Sequence, residues 1–315
     1  MSCFNPLEGY RSKDRNPSGK RSLVFTKPLG YTDLPIKVPC GQCTGCRELR
    51  SKEWAVRCVH EASMYEDNCF ATLTYAPEKL PKNETLRVRD FQLFINRLRK
   101  NINTCEDSPI FSPGRKIRYF HAGEYGEQTC RPHYHALLFN LDFSDKTHTK
   151  TVNDQKYYES KTLETIWQNG SCILGAVTFE SAAYVARYIF KKMNGPLADL
   201  HYNLIDQETG EILAEKKPEY TTMSRRPGIG QPWFEKFRND VFPCDNIVLQ
   251  GKKYPVPKFY TELLKREQNQ TYAKIKAKRQ LTAIKQKEDQ TWERLKVREE
   301  VHLDKIQKLK RGLKK

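Results

Sequence analysis

Apolar positions along the chain switch between two periods, and the switches mark out its elements. Cys69-Phe70-Ala71-Thr72-Leu73-Thr74-Tyr75 is rich in aromatic and β-branched residues and predicts a strand. Further strands are expected over residues 117–124, 133–141 and 172–179. Between them the period lengthens. Phe91, Phe94, Ile95 and Leu98 fall at i, i+3, i+4 and i+7, which predicts a helix over 90–101 with Asp90 as its N-cap. A helix over 47–66 is expected to turn Leu49, Trp54, Cys58, Val59 and Ala62 inward. Two more are expected over 157–168, stopped by Asn169-Gly170, and over 180–193, closed by Asn194-Gly195-Pro196. Residues 1–39 are punctuated by Pro and Gly and read as an irregular arm with one short strand at 22–26. Residues 142–156 read as a polar loop, and 197–257 as loop-rich.

Strands and helices interleaved in this way give an α+β fold. Three segments follow: residues 1–66, an arm with a cysteine knuckle and a helix; 67–257, the main domain with its basic loops; and 258–315, a basic tail, helical or partly disordered. Residues 261–315 hold 17 Lys/Arg against 8 Asp/Glu and no proline.

Charge bears on the partner. A formal net charge of +17 points to a polyanion, and nucleic acid is the simplest one. An anionic membrane surface is the alternative, but no basic amphipathic helix with an aromatic face stands out. No run approaches the ~18 apolar residues of a membrane span. The start, Met1-Ser2-Cys3-Phe4-Asn5-Pro6, lacks the charged and apolar regions of a signal peptide. A cytoplasmic location is therefore expected, with the ten cysteines serving as thiols or metal ligands rather than disulfides.

Two clusters suggest metal chemistry. In Arg131-Pro132-His133-Tyr134-His135-Ala136-Leu137-Leu138-Phe139, residues i and i+2 of a strand share a face, so His133 and His135 project side by side. Glu124, on the preceding strand, is the candidate third ligand. Two imidazoles and a carboxylate suit Mg²⁺ or Mn²⁺ with positions left for phosphate oxygens. The second cluster is Pro39-Cys40-Gly41-Gln42-Cys43-Thr44-Gly45-Cys46, whose spacing lets Cys40, Cys43 and Cys46 converge on a structural Zn²⁺. A tetrahedral ion needs a fourth ligand. Cys3 is one candidate, and Cys58, Cys69 and His60 are others.

The helix over 180–193 carries candidate nucleophiles. At 100° per residue Ala182, Val185, Ala186, Ile189 and Met193 share one face. Tyr184, Tyr188 and Lys191 gather on the other, with Arg187 beside them. Tyr184 and Tyr188 are i, i+4 neighbours, so their hydroxyls reach the same place. With Lys191 and a metal favouring the phenolate, tyrosine attack on a phosphodiester expels a 3′-hydroxyl and leaves a 5′-phosphotyrosine that a later 3′-hydroxyl can reseal. Arg187 and Lys192, together with Arg225 and Arg226 in Ser224-Arg225-Arg226-Pro227-Gly228-Ile229-Gly230, are the candidate DNA contacts.

Thr72-Leu73-Thr74, His133-Tyr134-His135 and Tyr184-x-x-x-Tyr188-x-x-Lys191 resemble the three ordered motifs of HUH endonucleases with two tyrosines. The cysteine knuckle, Gly123-Glu124-Tyr125-Gly126, Arg131-Pro132-His133 and Arg226-Pro227-Gly228-Ile229-Gly230 are similar to replication initiators of gokushovirus-type microviruses. The resemblance spans roughly residues 36 to 240 and leaves out the tail.

It implies a central antiparallel sheet of about five strands, the histidine pair on a central strand and helices on one side. It also implies rolling-circle initiation at a phage origin in the host cytoplasm, with host DNA polymerase extending the nick. No G-x-x-x-x-G-K-[ST] stretch is present, so a host helicase is the expected source of unwinding. The competing readings are a noncatalytic basic DNA-binding protein and a metal phosphodiesterase that uses water.

Overall fold

The structure, a computed structural model, describes residues 3–104, 115–126, 129–187, 198–206 and 208–308. The chain divides into two compact units, Met1–Arg50 with Tyr272–Lys315, and Ser51–Thr271.

In the smaller unit the expected irregular arm is a three-stranded antiparallel sheet. Its strands are β1 (Leu7–Arg15), β2 (Arg21–Val24) and β3 (Ile36–Val38), in the order β2-β1-β3. The Asn16 side-chain oxygen accepts from the amides of Ser18 and Lys20 at 3.1 and 3.0 Å, and Gly19 takes a φ of 74°, which closes the β1–β2 turn. The strand signal is hidden because β1 buries only Gly9, Tyr10 and Ser12 and exposes charged residues around them.

The larger unit is built on one antiparallel sheet. Its elements run α1 (Thr44–Ala62, which starts upstream of the unit), β4 (Asn68–Thr74), α2 (Val88–Thr104), β5 (Arg118–Tyr125), β6 (Pro132–Phe139), β7 (Thr147–Val152) and β8 (Gln155–Glu159). They continue with α3 (Lys161–Trp167), β9 (Cys172–Gly175), α4 (Phe179–Arg187), α5 (Ala198–Tyr202), β10 (Asn203–Ile205), β11 (Ile212–Glu215) and β12 (Tyr220–Met223). Then come α6 (Gln231–Val241), β13 (Asn246–Leu249), β14 (Lys252–Pro255) and α7 (Lys258–Glu267). Among the described residues the main sheet has seven strands in the order β12-β5-β6-β4-β9-β8-β7, against the five or so expected.

The added strands are polar edge strands. β7 and β8 form a hairpin around Asn153-Asp154, whose φ values of 50° and 62° are those of a two-residue primed turn. The helix expected from residue 157 begins instead after Ser160, whose hydroxyl accepts the Leu163 amide at 3.1 Å. β12 comes from the stretch expected to be loop-rich.

Helices cover both faces of this sheet, where one was expected. Phe91, Phe94 and Leu98 of α2 and Leu163 and Trp167 of α3 pack on the face carrying Leu73, Tyr134, Ala136 and Leu138. Ala55 and Cys58 of α1 and Ala182, Val185 and Ala186 of α4 pack on the face carrying Phe120, Ala122, Leu137 and Phe139. β6 explains the difference, because it is buried at every position except His133. A strand apolar on both sides needs a layer on each. The expected helix over 180–193 is present to Arg187, and its remainder lies outside the described residues.

The basic tail is helical through its described part, in α7, α8 (Asn269–Lys285) and α9 (Trp292–Lys308). No helix among the described residues is long and apolar enough to cross a membrane.

One buried histidine gives the larger unit a pH dependence. The His60 ring stacks on Trp233 with centroids 3.4 Å apart, its Nδ1 lies 3.0 Å from the Tyr260 hydroxyl, and its Nε2 is buried without a hydrogen bond. Burial lowers its pKa to about 3, so the folded chain holds it neutral, whereas an unfolded chain protonates it near the ordinary value of ~6.5. Its contribution to stability is complete above the unfolded value and is lost between it and the folded one, at about 1.4 kcal/mol per pH unit. Urea unfolding between pH 7 and 5 is expected to show a flatter pH slope for His60→Phe than for the parent. Equal slopes would count against this account.

Candidate active site

The site is assembled by strand register. β6 lies between β5 and β4, with Glu124 and Thr74 both opposite His133, and Ala122 and Thr72 both opposite His135. Period two turns Glu124, His133, His135, Thr72 and Thr74 to the same face. The donors converge there. Glu124 Oε1 lies 2.6 Å from His133 Nε2 and 2.9 Å from His135 Nε2, and the two imidazole rings meet edge to face with centroids 4.9 Å apart. The candidate ligand atoms of Glu124, His133 and His135 all lie within 4.8 Å of one another.

The outer nitrogens of both rings are also engaged. His135 Nδ1 is 3.0 Å from the Thr72 hydroxyl, and His133 Nδ1 is 3.2 Å from the Arg131 carbonyl. A carbonyl only accepts, so His133 carries a proton on Nδ1 and presents Nε2 to the carboxylate. At 2.6 Å from a carboxylate oxygen, that nitrogen needs a cation beside it, either a second proton or a metal ion. Phe70 stacks on the other ring, 5.6 Å from His135 and nearly parallel to it. Burial pushes the Glu124 carboxyl up, but hydrogen bonds from His133 and His135 and their charge outweigh it and hold the carboxyl at about 2. A buried carboxylate with two imidazoles fits a divalent cation, and the donor set alone does not choose which one.

Tyr184 stands beside this cluster. Its ring meets His135 edge-on, centroids 5.1 Å apart, and Phe70 at 6.5 Å. The Arg187 guanidinium lies 5.6 Å from the Tyr184 ring centroid, and Arg187 is exposed. Ala182, Val185 and Ala186 are buried on the opposite side of α4, as the helical period requires. Tyr188, Lys191 and Lys192 lie outside the described residues.

Arg225 and Arg226 are exposed but stand away from the metal ligands. β12 runs antiparallel to β5 with Met223 opposite Phe120, so the turn that follows sits at the Arg118 end. That is six residues along the strand from Glu124, roughly 20 Å at the usual rise. The turn is held from beneath. Glu61 and Arg118 form a buried ion pair, Glu61 accepts the Gly230 amide at 2.6 Å, Arg118 donates to the Pro227 carbonyl at 2.8 Å, and Arg57 to the Ile229 carbonyl at 3.0 Å. Sequence reasoning missed this support, although an arginine inside an otherwise apolar strand was a signal for it. The Thr72 contact to His135 was also missed; its signal is the cross-strand register, which needs the fold.

The four sulfurs of Cys3, Cys40, Cys43 and Cys46 lie within 4.8 Å of one another in the smaller unit. The other candidate fourth ligands are occupied elsewhere: Cys58 and Cys69 belong to the two cores of the larger unit, and His60 faces Tyr260.

Comparison with known proteins agrees with this arrangement. Residues 68–193, which span β4 to α4 and contain Glu124, His133, His135 and Tyr184, match the family model of the replication-associated protein ORF2 family. The chain is 35% identical over 299 residues to replication-associated protein VP4 of Bdellovibrio phage phiMH2K, covering 92% of this chain and 87% of that one. It is 33% identical over 303 residues to replication-associated protein ORF2 of Spiroplasma virus 4, covering 90% and 87%. It is 26% identical over 234 residues to replication-associated protein ORF4 of Chlamydia phage 1, covering 73% and 54%. The chain belongs to this family of phage replication-associated proteins. No solved structure matches it.

Mn²⁺ titration by calorimetry tests the metal cluster. His135→Ala is expected to abolish binding, and Thr72→Val, which only frees the ring, to weaken it roughly tenfold. Unchanged affinity in His135→Ala would remove the cluster as a cation site.

Proposed function

We propose that this protein initiates rolling-circle replication of a phage genome by cutting one DNA strand at the origin and later rejoining it through tyrosine. The observation that carries this reading is the Tyr184 ring lying edge-on to His135, with centroids 5.1 Å apart, beside the buried carboxylate and histidines. A phosphate held at that cluster would sit within reach of the phenol.

Each group then has a defined task. Glu124, His133 and His135 would hold a divalent cation, Mg²⁺ or Mn²⁺, which when bound supplies polarisation of the scissile phosphate. Thr72 and the Arg131 carbonyl fix the two rings, so that both Nε2 atoms face inward. The Tyr184 oxygen forms a bond to phosphorus as the bond from phosphorus to the 3′ oxygen breaks. The phenol proton is released and the departing 3′ oxygen takes one up. A phenol is a poor nucleophile at its free pKa of ~10, and positive charge from Arg187 and Lys191 favours the phenolate.

The 5′-phosphotyrosine keeps the free energy of the original bond, so a later 3′-hydroxyl can reverse the attack and close a unit-length strand. Tyr188, one turn further on, supplies the second nucleophile that alternating transfers require. The exposed guanidiniums of Arg225 and Arg226, together with Lys192, are assigned to the DNA backbone. The substrate is single-stranded or supercoiled origin DNA, and host helicase and polymerase complete the work in the host cytoplasm.

Incubating the protein with single-stranded origin DNA and Mn²⁺ is expected to give a covalent protein–DNA adduct mapping to Tyr184 or Tyr188. The double variant Tyr184→Phe/Tyr188→Phe is expected to lose it, by about 10³-fold or more if both nucleophiles are removed. Cleavage without adduct would favour attack by water, and binding without cleavage a purely structural DNA-binding role.

A further inference from the structure

The cysteine cluster of the smaller unit lies outside the chemistry described so far, and its geometry is specific. Cys3 Sγ is 3.7 Å from Cys40 Sγ and 3.9 Å from Cys43 Sγ. A disulfide needs sulfurs ~2.05 Å apart, so these are separate thiols. Four sulfurs at ~2.3 Å from one zinc stand ~3.8 Å apart along the edges of the tetrahedron, which matches the two observed distances. A multi-iron cluster would hold its thiolates further apart.

Backbone amides also aim at the sulfurs. The Cys40 amide donates to Cys3 Sγ at 3.2 Å, Cys43 and Gln42 donate to Cys40 Sγ at 3.3 and 3.4 Å, and Phe4 donates to Cys43 Sγ at 3.4 Å. Such donors stabilise thiolates more than thiols. Cys3 and Cys46 are buried and Cys40 and Cys43 half-buried, so an ion at the centre would be largely closed off from water.

The same corner of the unit receives the C-terminal helix. The Phe4 ring lies 5.2 Å from the His302 ring, Asn5 Nδ2 donates to both carboxylate oxygens of Glu299 at 3.3 Å, and His302 Nε2 is 3.5 Å from Glu48 in the first turns of α1. The residues just after Cys3, and those just after Cys46, are therefore the ones that α9 touches.

We propose that Cys3, Cys40, Cys43 and Cys46 bind one structural zinc ion as thiolates, and that this ion holds the first residues of the chain in place as the dock for helix α9. Each thiol gives up its proton to solvent as the ion binds. Soft thiolate ligands in a closed tetrahedron favour zinc over the harder ions suited to Glu124, His133 and His135, so the chain carries two metal sites of different chemistry.

Elemental analysis of the full-length protein, purified without chelator, is expected to find about one zinc per chain, released by a mercurial thiol reagent. Cys3→Ser is expected to lose that zinc, while Cys244→Ser, at an exposed cysteine, retains it. In the Cys3→Ser variant, amide exchange in α9 should rise about tenfold or more. Mn²⁺ affinity at Glu124, His133 and His135 should stay unchanged, which separates loss of this site from loss of the larger unit. Iron in place of zinc, two disulfides with no metal, or full zinc retention by Cys3→Ser would each overturn the assignment. Zinc loss with unchanged exchange in α9 would overturn the docking role.

Discussion

Pairing of β6 with β5 on one side and β4 on the other sets the geometry of the whole site. Glu124 and Thr74 flank His133, and Ala122 and Thr72 flank His135, in two adjacent cross-strand rows. A slip of one residue on any of the three strands would send its members to the opposite face, among Tyr134, Ala136 and Leu138. Burial prevents that slip. Every residue of β6 except His133 is buried, so a misregistered strand would bring His135 into an apolar layer and a leucine into the polar row. The core and the chemistry are thus specified by the same hydrogen-bond ladder.

The two faces of the sheet divide the labour. Under one face, α2 and α3 close a continuous apolar layer that includes Phe91, Phe94 and Trp167. On the other, α1 and α4 pack on Phe120, Leu137 and Phe139, and at the end of that layer the apolar residues give way to the carboxylate and the imidazoles. α4 serves both. Ala182, Val185 and Ala186 anchor it, and their small volume lets the helix sit close enough for Tyr184 to meet His135.

How much of this could be read beforehand depended on whether a single element carried the signal. Strand parity alone places His133 beside His135, and helical period alone sets Tyr184 opposite Ala182 and Ala186, so both were legible. Glu124 was legible because it ends the strand before the histidines. The edge strands were not. β1, β7 and β12 bury few side chains, and a strand without a buried face shows no alternation. Cys3 was one of several candidate partners for the knuckle, because 37 residues separate it from Cys40 and only the folded chain brings them together. The Glu61–Arg118 pair joins a helix to a strand 57 residues away, a distance over which no local pattern speaks.

That pair bears on how the protein meets an anion. Gly230 and Pro227 are tied through Glu61 and Arg118, and Ile229 through Arg57, so the turn that carries Arg225 and Arg226 rests on a rigid footing in the sheet. A guanidinium on a loose loop surrenders backbone freedom each time it grips a phosphate. Here that ordering is already complete in the free protein, so each encounter with a polyanion keeps more of its electrostatic gain as affinity.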